Sequence, residues 1–315
     1  MDKKEGIGLL KNFEISVDST ACFTSEEIEK HHILMVYLSY TLDGQEYEDK
    51  FDSDEQKQAL YDKLDAGQFA QSSKANPESC KKAWESELAQ GRDILHLALS
   101  SKVSGSYESA CLAAAELNKK YSAQVKVVDT RIGSFAVTLM VYKLMEEHED
   151  ATLEEALNYA ERIKGEYNLI FTVGDIKYLY RGGRISHIKA ILGGLLHLKP
   201  ILFISEEGKL TFMMNARGMR QAITLMAQKM IKNATEQTQS AYIAHGGDVS
   251  LALMLKNKLI EMFPKLKEVR LDFLTPVLGL HAGPGSLVLC FQGAERNGVL
   301  DENPIKEIIE RVKKI

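Results

Sequence analysis

Short apolar segments alternate with helix-like segments through the first half of the chain. Asn76 and Pro77 predict the start of a helix that ends at Gly91, and Gly133-Ser134 predicts the start of another. The segments predicted as strands are FEISVD (13–18), HILMVYLSY (32–40), DILHLALS (93–100) and VKVVD (125–129). The run at 32–40 is nearly continuous in apolar residues, as expected of a strand buried on both faces. This repetition predicts an α/β fold with a doubly wound parallel sheet.

The second half has a different pattern, in which some apolar strands follow one another directly. Glu206-Glu207-Gly208 predicts a hairpin turn, so this sheet is expected to be mixed and partly antiparallel. Helices are expected at about 218–233 and 249–262. The predicted strands are NLIFTV (168–173), KPILFIS (199–205), KLTFMMN (209–215), SAYIAH (240–245), VRLDFL (269–274) and SLVLCF (286–291).

A domain boundary is predicted where the two patterns meet. Thr152 to Glu155 has the form of a capping box, and the helix that it begins is expected to end near Gly165. We therefore predict an N-terminal Rossmann-like α/β domain over 1–165 and a C-terminal α/β domain over 166–315.

Composition narrows the function classes. The chain has 315 residues, 45% of them hydrophobic and 26% charged, which is typical of a globular protein. Its net charge of −5 predicts neither nucleic-acid binding nor a polybasic membrane anchor. The N-terminus has no apolar run of signal-peptide length, and no window reaches the roughly 18 apolar residues of a membrane span. A soluble cytoplasmic protein without stable membrane insertion is expected.

The cysteines indicate a reducing compartment. Cys22, Cys80, Cys111 and Cys290 are far apart and form no CxxC pair. They are typical of reduced, mostly buried thiols, and a disulfide frame or a metal site is the less favoured interpretation.

Two hydroxyl-bearing segments precede predicted helices. Val17 to Thr20 ends the first strand, where open α/β sheets bind ligands, although Asp18 and Ser19 also suit simple helix capping. Gln71 to Lys74 precedes the Asn76-Pro77 helix start. Its hydroxyls can donate to an anion, and they equally suit an ordinary loop.

The segment from Ser100 to Ser106 follows a buried strand and begins a helix. Free N–H groups at a helix start favour an anionic ligand, Gly105 permits close backbone approach, and Ser104 adds a hydroxyl. The segment has no Walker sequence, and a simple capping loop is the alternative.

Two further segments carry arginine, histidine and glycine. Arg181 and Arg184 flank paired glycines, and such arginines suit phosphate or carboxylate. His281 lies in HAGPG (281–285) and is able to carry a proton or to act as a structural donor. Turn geometry is the alternative role of the glycines. Apolar clusters at Phe135–Met140, Ile191–Leu198 and Phe212 to Met214 suit either a flexible apolar ligand or ordinary core.

These segments, taken in order, resemble the DegV family. The matching stretches span nearly the whole chain and are DST (18–20), DGQEYED (43–49), SSKANP (72–77), SSKVSGSYESA (100–110), VVDTRIGS (127–134), YLYRGGRIS (178–186), LLHLKPIL (195–202) and HAGPG (281–285). The resemblance implies a bacterial two-domain protein that binds one long-chain fatty acid such as palmitate, stearate or oleate, with no cofactor. Members of the FakB type present the fatty acid to a separate ATP-dependent fatty acid kinase, which makes acyl phosphate for phospholipid synthesis.

The resemblance also implies roles for residues of this chain. Ser72 and Ser104 would hold the carboxylate through their hydroxyls, and the Ser104 and Gly105 amides would add hydrogen bonds. Arg181, Arg184 and His281 would lie near the head group and serve phosphate transfer or partner docking. Residues 1–165 would supply the carboxylate-binding loops, with the acyl tunnel in 166–315. The resemblance implies no metal site and no catalytic residue.

Two positions depart from the family pattern. Ser72 to Ala75 stands where the family usually has Thr-Ser-Gln-Pro, so Lys74 adds an unexpected charge. Lys102 stands where the family often has glycine.

Two other function classes stay open from the residues. One is a self-sufficient kinase or hydrolase that uses Ser104 and His281, although the chain has no phosphate loop or GxSxG motif. The other is a lipid-sensing regulator that binds protein or DNA, and the acidic balance of the chain disfavours DNA.

Overall fold

The computed structural model describes residue 10 and residues 12–51, 53–184 and 198–296. The strands are β1 Phe13–Asp18, β2 Leu34–Val36, β3 Ser39–Leu42, β4 Gln45–Glu48, β5 Ala70–Ser73, β6 Asp93–Ala98, β7 Val125–Asp129, β8 Tyr167–Thr172, β9 Leu198–Ile204, β10 Leu210–Arg217, β11 Ser240–His245, β12 Glu268–Phe273 and β13 Leu287–Gln292. The helices are α1 Ser25–Lys30, α2 Asp54–Asp65, α3 Pro77–Ala89, α4 Ser106–Lys120, α5 Phe135–Glu147, α6 Leu153–Ile163, α7 Lys177–Arg181, α8 Met219–Asn233, α9 Val249–Met262 and α10 Pro276–Ala282.

The first sheet has the strand order β2-β1-β6-β7, and every neighbouring pair is parallel. Helices α3 and α4 pack against each other and on this sheet, and α6 packs on β6 and β7. Helices α3 and α6 start where the sequence predicts. Asn76 Oδ1 accepts from the Ser79 N–H at 2.9 Å, Pro77 follows, and Thr152 and Glu155 form the capping box of α6. The expected parallel α/β sheet is confirmed.

The second sheet has the order β10-β9-β8-β13-β11-β12, in which only β11 and β12 run parallel. Successive residues of its strands face opposite sides. Ile170 and Leu289 face a core completed by α8 and α9, whereas Leu169 and Val288 face the side on which α5 packs. The predicted hairpin joins β9 to β10, and the mixed sheet is confirmed.

The run at 32–40 does not form one strand, so this prediction was wrong. It divides into β2, which extends the first sheet, and β3, which pairs with β4 and β5 in a separate three-stranded antiparallel sheet. The Ser19 hydroxyl accepts from the Leu38 N–H at 3.0 Å, which takes that donor out of strand pairing. Because the run is apolar throughout, its composition carries no signal of the change.

The predicted boundary at residues 165 and 166 falls in the short 3-10 helix Lys164–Glu166 between α6 and β8. The division into two domains stays a prediction. Within the described ranges, no helix is both long and apolar enough to cross a membrane. Residues 185, 186 and 191–197, which the sequence analysis included in its motifs, lie outside the described residues, as does the C-terminal end of the second predicted domain.

Candidate functional site

A cavity lies between the first sheet, the three-stranded sheet and the inner face of the second sheet. It encloses about 870 Å³ not filled by atoms, including the space open to solvent at its mouth. Apolar side chains from both halves of the chain form most of its wall, among them Leu169, Phe171, Ile204, Leu210, Leu274 and Val288. Most of the polar lining groups lie near one another, in loops, at the end of β5 and at the end of α10, so the cavity has a largely apolar interior and a polar end.

Ser72 and His281 meet at the polar end of this cavity. Ser72 Oγ lies 2.8 Å from His281 Nε2, and both side chains line the cavity. The sequence analysis expected both residues in loops, which was wrong. Ser72 belongs to β5, where it pairs with Tyr40, and His281 lies in the last turn of α10. Regular elements therefore hold both partners, because α10 packs against β3 and β5.

The imidazole of His281 is neutral at physiological pH. Its burial, and then the nearby positive charge of Arg184, lower its pKa from 6.5 to about 4. A methyl group at Gly182 would collide with His281 Nδ1, so the glycine lets α7 pack closely on the ring. A neutral imidazole forms a hydrogen bond with the Ser72 hydroxyl without placing a permanent cation there.

The loop before α4 carries Ser104, which lines the cavity, and Gly105, which follows it and is not among the lining residues. Ser104 Oγ lies 2.9 Å from Ser106 Oγ and also accepts from the Ser106 N–H. The Ser104 N–H donates to Ser100 O at 3.1 Å, so this amide is engaged within the loop. No described residue accepts a hydrogen bond from the Gly105 N–H. The sequence analysis named the amides of Ser104 and Gly105 as donors to a ligand. Of these two, the Gly105 N–H remains available, and the Ser104 N–H does not.

The two arginines occupy different places. Arg184 lines the cavity, and its guanidinium donates to Val103 O and Gly182 O, which ties α7 to the loop before α4. Arg181 is exposed and lines an outer cleft with Gln68, Phe69 and Tyr178. Ser72, Arg184 and His281 border both the cavity and this cleft. The structure therefore brings Ser72, Ser104, Arg184 and His281 to one cavity and places Arg181 outside it.

Sequence reasoning missed other residues of the cavity wall. Lys74 and Ser134 line it; from the sequence, Lys74 was only a departure from the family pattern that could tune partner docking or ligand choice, and Ser134 was only a predicted helix start. Ser134 has φ 56° and ψ −150°, a conformation that residues other than glycine rarely adopt. Its only sequence signal was its place after Gly133 at a helix start.

Of the apolar clusters singled out from the sequence, Phe135–Met140 and Phe212 to Met214 do not line the cavity, and nearly all of Ile191–Leu198 lies outside the described residues. Phe135 and Met140 are fully buried in the core, and Met213 belongs to the core on the opposite face of the second sheet. The apolar side chains that line the cavity are chiefly leucine, valine and isoleucine, together with Phe171, and the described lining includes no methionine. The composition favoured methionine as a wall residue because its flexible side chain adapts to ligands. Whether a strand residue lines the cavity depends instead on the face of the sheet to which its side chain points.

Asp18 does not cap α1, so that interpretation of this residue was wrong, and it is not among the residues that line the cavity. Its Oδ2 accepts from the Leu99 N–H at 2.5 Å, and its side chain is buried at the carboxyl end of β1. Burial raises the pKa of Asp18 to about 7, and Asp49 adds repulsion. The cap of α1 is Thr24. Asp18 therefore links β1 to the loop that follows β6.

One cluster has metal-ligand residue types. Glu14, His32 and Glu87 bring their ligand atoms within 4.8 Å of one another in the described part of the chain. The Arg92 guanidinium pairs with Glu14 and lies 3.6 Å from a Glu87 oxygen. The arginine offsets part of the negative charge of these carboxylates, and with His32 3.6 Å from Glu87 the cluster forms an ion-pair network. The free cysteines are buried or half-buried, as expected.

The fold and the cavity define an α/β protein with two main sheets that enclose an apolar chamber with hydroxyl donors at one end. The family model that matches residues 12–293 is described as an uncharacterised protein of the DegV family. The chain belongs to the DegV family. A DegV domain-containing protein of Clostridium perfringens is 34% identical to it over 289 residues, which cover 90% of this chain and 98% of that protein.

Solved structures are similar over nearly the same extent. One is a DegV family protein from Thermus thermophilus, described by its fatty acid binding, with 28% identity and a TM-score of 0.79 over 90% of this chain and 100% of that one. Another is a DegV family protein from Ruminococcus gnavus refined with vaccenic acid. It has 25% identity and a TM-score of 0.79 over 88% of this chain and 99% of its own.

Proposed function

We propose that this protein binds one long-chain fatty acid in the cavity and presents its carboxylate to an ATP-dependent fatty acid kinase. One observation carries the proposal. Apart from Ser134, the polar side chains that line the cavity are grouped around Ser72, Ser104 and His281, and no described aspartate or glutamate lines it. Such a chamber suits a ligand with a long apolar tail and a single anionic head.

The energetics of the tail support this ligand class. A C16 chain offers about 15 carbons at about 0.8 kcal/mol each, or about 12 kcal/mol before costs. Ordering the flexible tail and losing rigid-body freedom remove a good part of this. The net value is compatible with submicromolar affinity. Walls from β8, β9, β10 and β13 would surround the tail, in the half of the chain where the tunnel is predicted.

The head group would take hydrogen bonds from Ser72, Ser104 and the Gly105 N–H. A buried carboxylate is costly unless such donors compensate for lost water. Neutral His281 would orient the Ser72 hydroxyl, so that one carboxylate oxygen stays accessible. In the transfer, that oxygen forms a bond to the γ-phosphorus of ATP as the β,γ-bridging bond breaks, which gives acyl phosphate and ADP. Arg184, and Arg181 in the outer cleft, would stabilise the phosphate charge or the docked kinase.

The relatives support the ligand, and the kinase rests on the FakB-type resemblance alone. The Thermus and Ruminococcus proteins are described with fatty acids. We place this chain in the cytoplasm as the fatty-acid-binding subunit that serves phospholipid synthesis.

Native mass spectrometry of the protein purified from bacteria tests the binding step. We expect a stoichiometric adduct of fatty-acid mass that organic extraction removes and identifies. Ser104→Ala should lose most of this adduct, whereas Ser86→Ala, on the exposed face of α3, should keep it. A clean apo mass that is unchanged by added palmitate and oleate would refute the proposal.

Turnover assays separate the carrier from the alternative enzyme. The structure gives that alternative little support, since His281 bonds to Ser72 and the Ser104 hydroxyl to Ser106. The pure protein should hydrolyse neither ATP nor esters. Acyl phosphate, trapped as the hydroxamate, should form only when a fatty acid kinase and ATP are added. Turnover without the kinase would favour the enzyme.

A further inference from the structure

The side chain of Lys74 lies across the loop that begins α4. A methyl group on Gly105 would stand 2.9 Å from Lys74 Cδ and 3.1 Å from its Nζ. Gly105 has an ordinary φ of −83°, so its missing side chain provides space rather than an unusual backbone conformation. The Ala75 N–H donates to Ser106 Oγ at 3.3 Å, which fixes the backbone beside Lys74 to the same loop. The position of the lysine relative to Ser104 and Gly105 is therefore built into the fold.

The charge of Lys74 is not used elsewhere in the described structure. Among the described residues, its ammonium pairs with no carboxylate. The lysine lines the cavity together with Arg184, whose guanidinium bonds only to backbone carbonyls there. The cavity wall has no described acid to balance these two cations. The polar end of the cavity consequently carries a positive potential that a bound anion would neutralise.

We propose that Lys74 is a specificity-determining residue whose ammonium pairs with the anionic head group of the bound lipid. This inference rests on the proposed function and names the residue that makes the binding selective for an anionic head group. Neutral hydroxyls and amides bind the head group of a fatty acid and that of a fatty alcohol with similar chemistry. A cation stabilises the ionised acid more than the alcohol, because the attraction between opposite charges adds to the hydrogen bond that either head group accepts. Lys74 would therefore select fatty acids, and their acyl phosphates, against neutral lipids of the same length.

Binding of palmitic acid and of hexadecanol measures this selectivity. Lys74→Met keeps the length of the side chain and removes the charge. It should weaken palmitic acid binding by about three- to tenfold and leave hexadecanol binding unchanged, because the lysine is exposed enough for solvent to screen it. Lys74→Arg should restore most of the preference. Lys102→Met is the matched control, since Lys102 lies exposed on the loop before α4, which Lys74 contacts, and does not line the cavity.

Salt dependence gives an independent readout. Raising the ionic strength from about 0.01 to about 1 M shortens the screening length to about 3 Å and should weaken palmitic acid binding in the wild type more than in Lys74→Met. A merely structural role of the lysine predicts equal salt dependence in both proteins and equal losses for the acid and the alcohol.

The Gly105→Ala variant tests the position of Lys74 over the loop and leaves the lysine itself unsubstituted. The added methyl group must push the flexible end of Lys74 away from the loop. The double variant with Lys74→Met should then bind palmitic acid no more weakly than Gly105→Ala alone, which is the signature of coupled residues. Additive losses would overturn the inference.

The two proposals fail in different ways. If the wild type binds palmitic acid and Lys74→Met keeps its preference for the acid over the alcohol, the role of Lys74 is refuted and the proposed function stands. If the wild type binds neither lipid, both are refuted.

Discussion

The Ser72 hydroxyl and the His281 imidazole lie 2.8 Å apart, Oγ to Nε2, although 209 residues separate them in the chain. The contact joins the three-stranded sheet to α10 at the polar end of the cavity. It also lies between the cavity and the outer cleft that holds Arg181. Under the proposed function, the pair would orient a head group on the cavity side and face an approaching partner on the other.

Titration of His281 tests the electrostatics of this pair. Burial, with repulsion from Arg184, lowers its pKa to about 4, so its NMR signals should shift with a midpoint near that value. The His281→Gln variant identifies the resonance. Because the unfolded chain takes up this proton near pH 6.5, the contribution of His281 to stability is present above that pH and is lost as the pH falls toward 4. A midpoint of 6 or above would contradict the buried environment.

Filling the cavity should change the length of the acyl chain that fits. Leu210 of β10 lines the cavity, and its neighbour Thr211 does not. We expect Leu210→Trp to reduce palmitate binding at least tenfold while shorter chains such as C10 still bind, because the indole occupies space that the end of the tail needs. Thr211→Trp is the control. Equal loss in both variants, measured by titration calorimetry, would argue against a tail at this wall.

Asp18 should make the protein less stable as the pH rises. Its pKa is raised from 3.8 to about 7, chiefly by burial, so the folded state binds this proton more tightly than the unfolded state. The associated stability is present below about pH 4 and is lost as the pH rises toward 7. Between pH 5 and pH 8 the free energy of unfolding of the wild type should fall by about 2–3 kcal/mol relative to Asp18→Asn. Urea unfolding at both pH values measures this, and parallel changes would show that Asp18 is ionised throughout.

Arg296 should stabilise the fold without affecting the ligand. Its side chain is 1% exposed and donates to the carbonyls of Arg131, Ser205 and Lys164, which come from separate segments. Arg296→Met leaves buried carbonyls without donors and should lower the free energy of unfolding by about 2–4 kcal/mol. Arg220→Met, on the exposed surface of α8, should cost less than about 0.5 kcal/mol. Palmitate affinity should be unchanged in both variants while they are folded.

The sequence alone determined the elements and the class of fold. Alternating and continuous apolar runs located most of the strands, and the caps at Asn76 and Thr152 located helix starts, because these signals act within a few residues. The order of the motifs also identified the family, which the family model then confirmed. Predictions from these local signals and from motif order do not depend on which distant segments of the chain are in contact.

Only the tertiary structure decided how the site is assembled. The run at 32–40 divides between two sheets because Val36 and Ser39 find different partner strands, and apolar composition does not encode that choice. Lys74 reaches Gly105 because the connection from β5 to α3 packs against the start of α4. His281 reaches Ser72 because α10 packs on β5. These contacts join residues that are remote in sequence, and their formation depends on the packing of whole elements rather than on local preference.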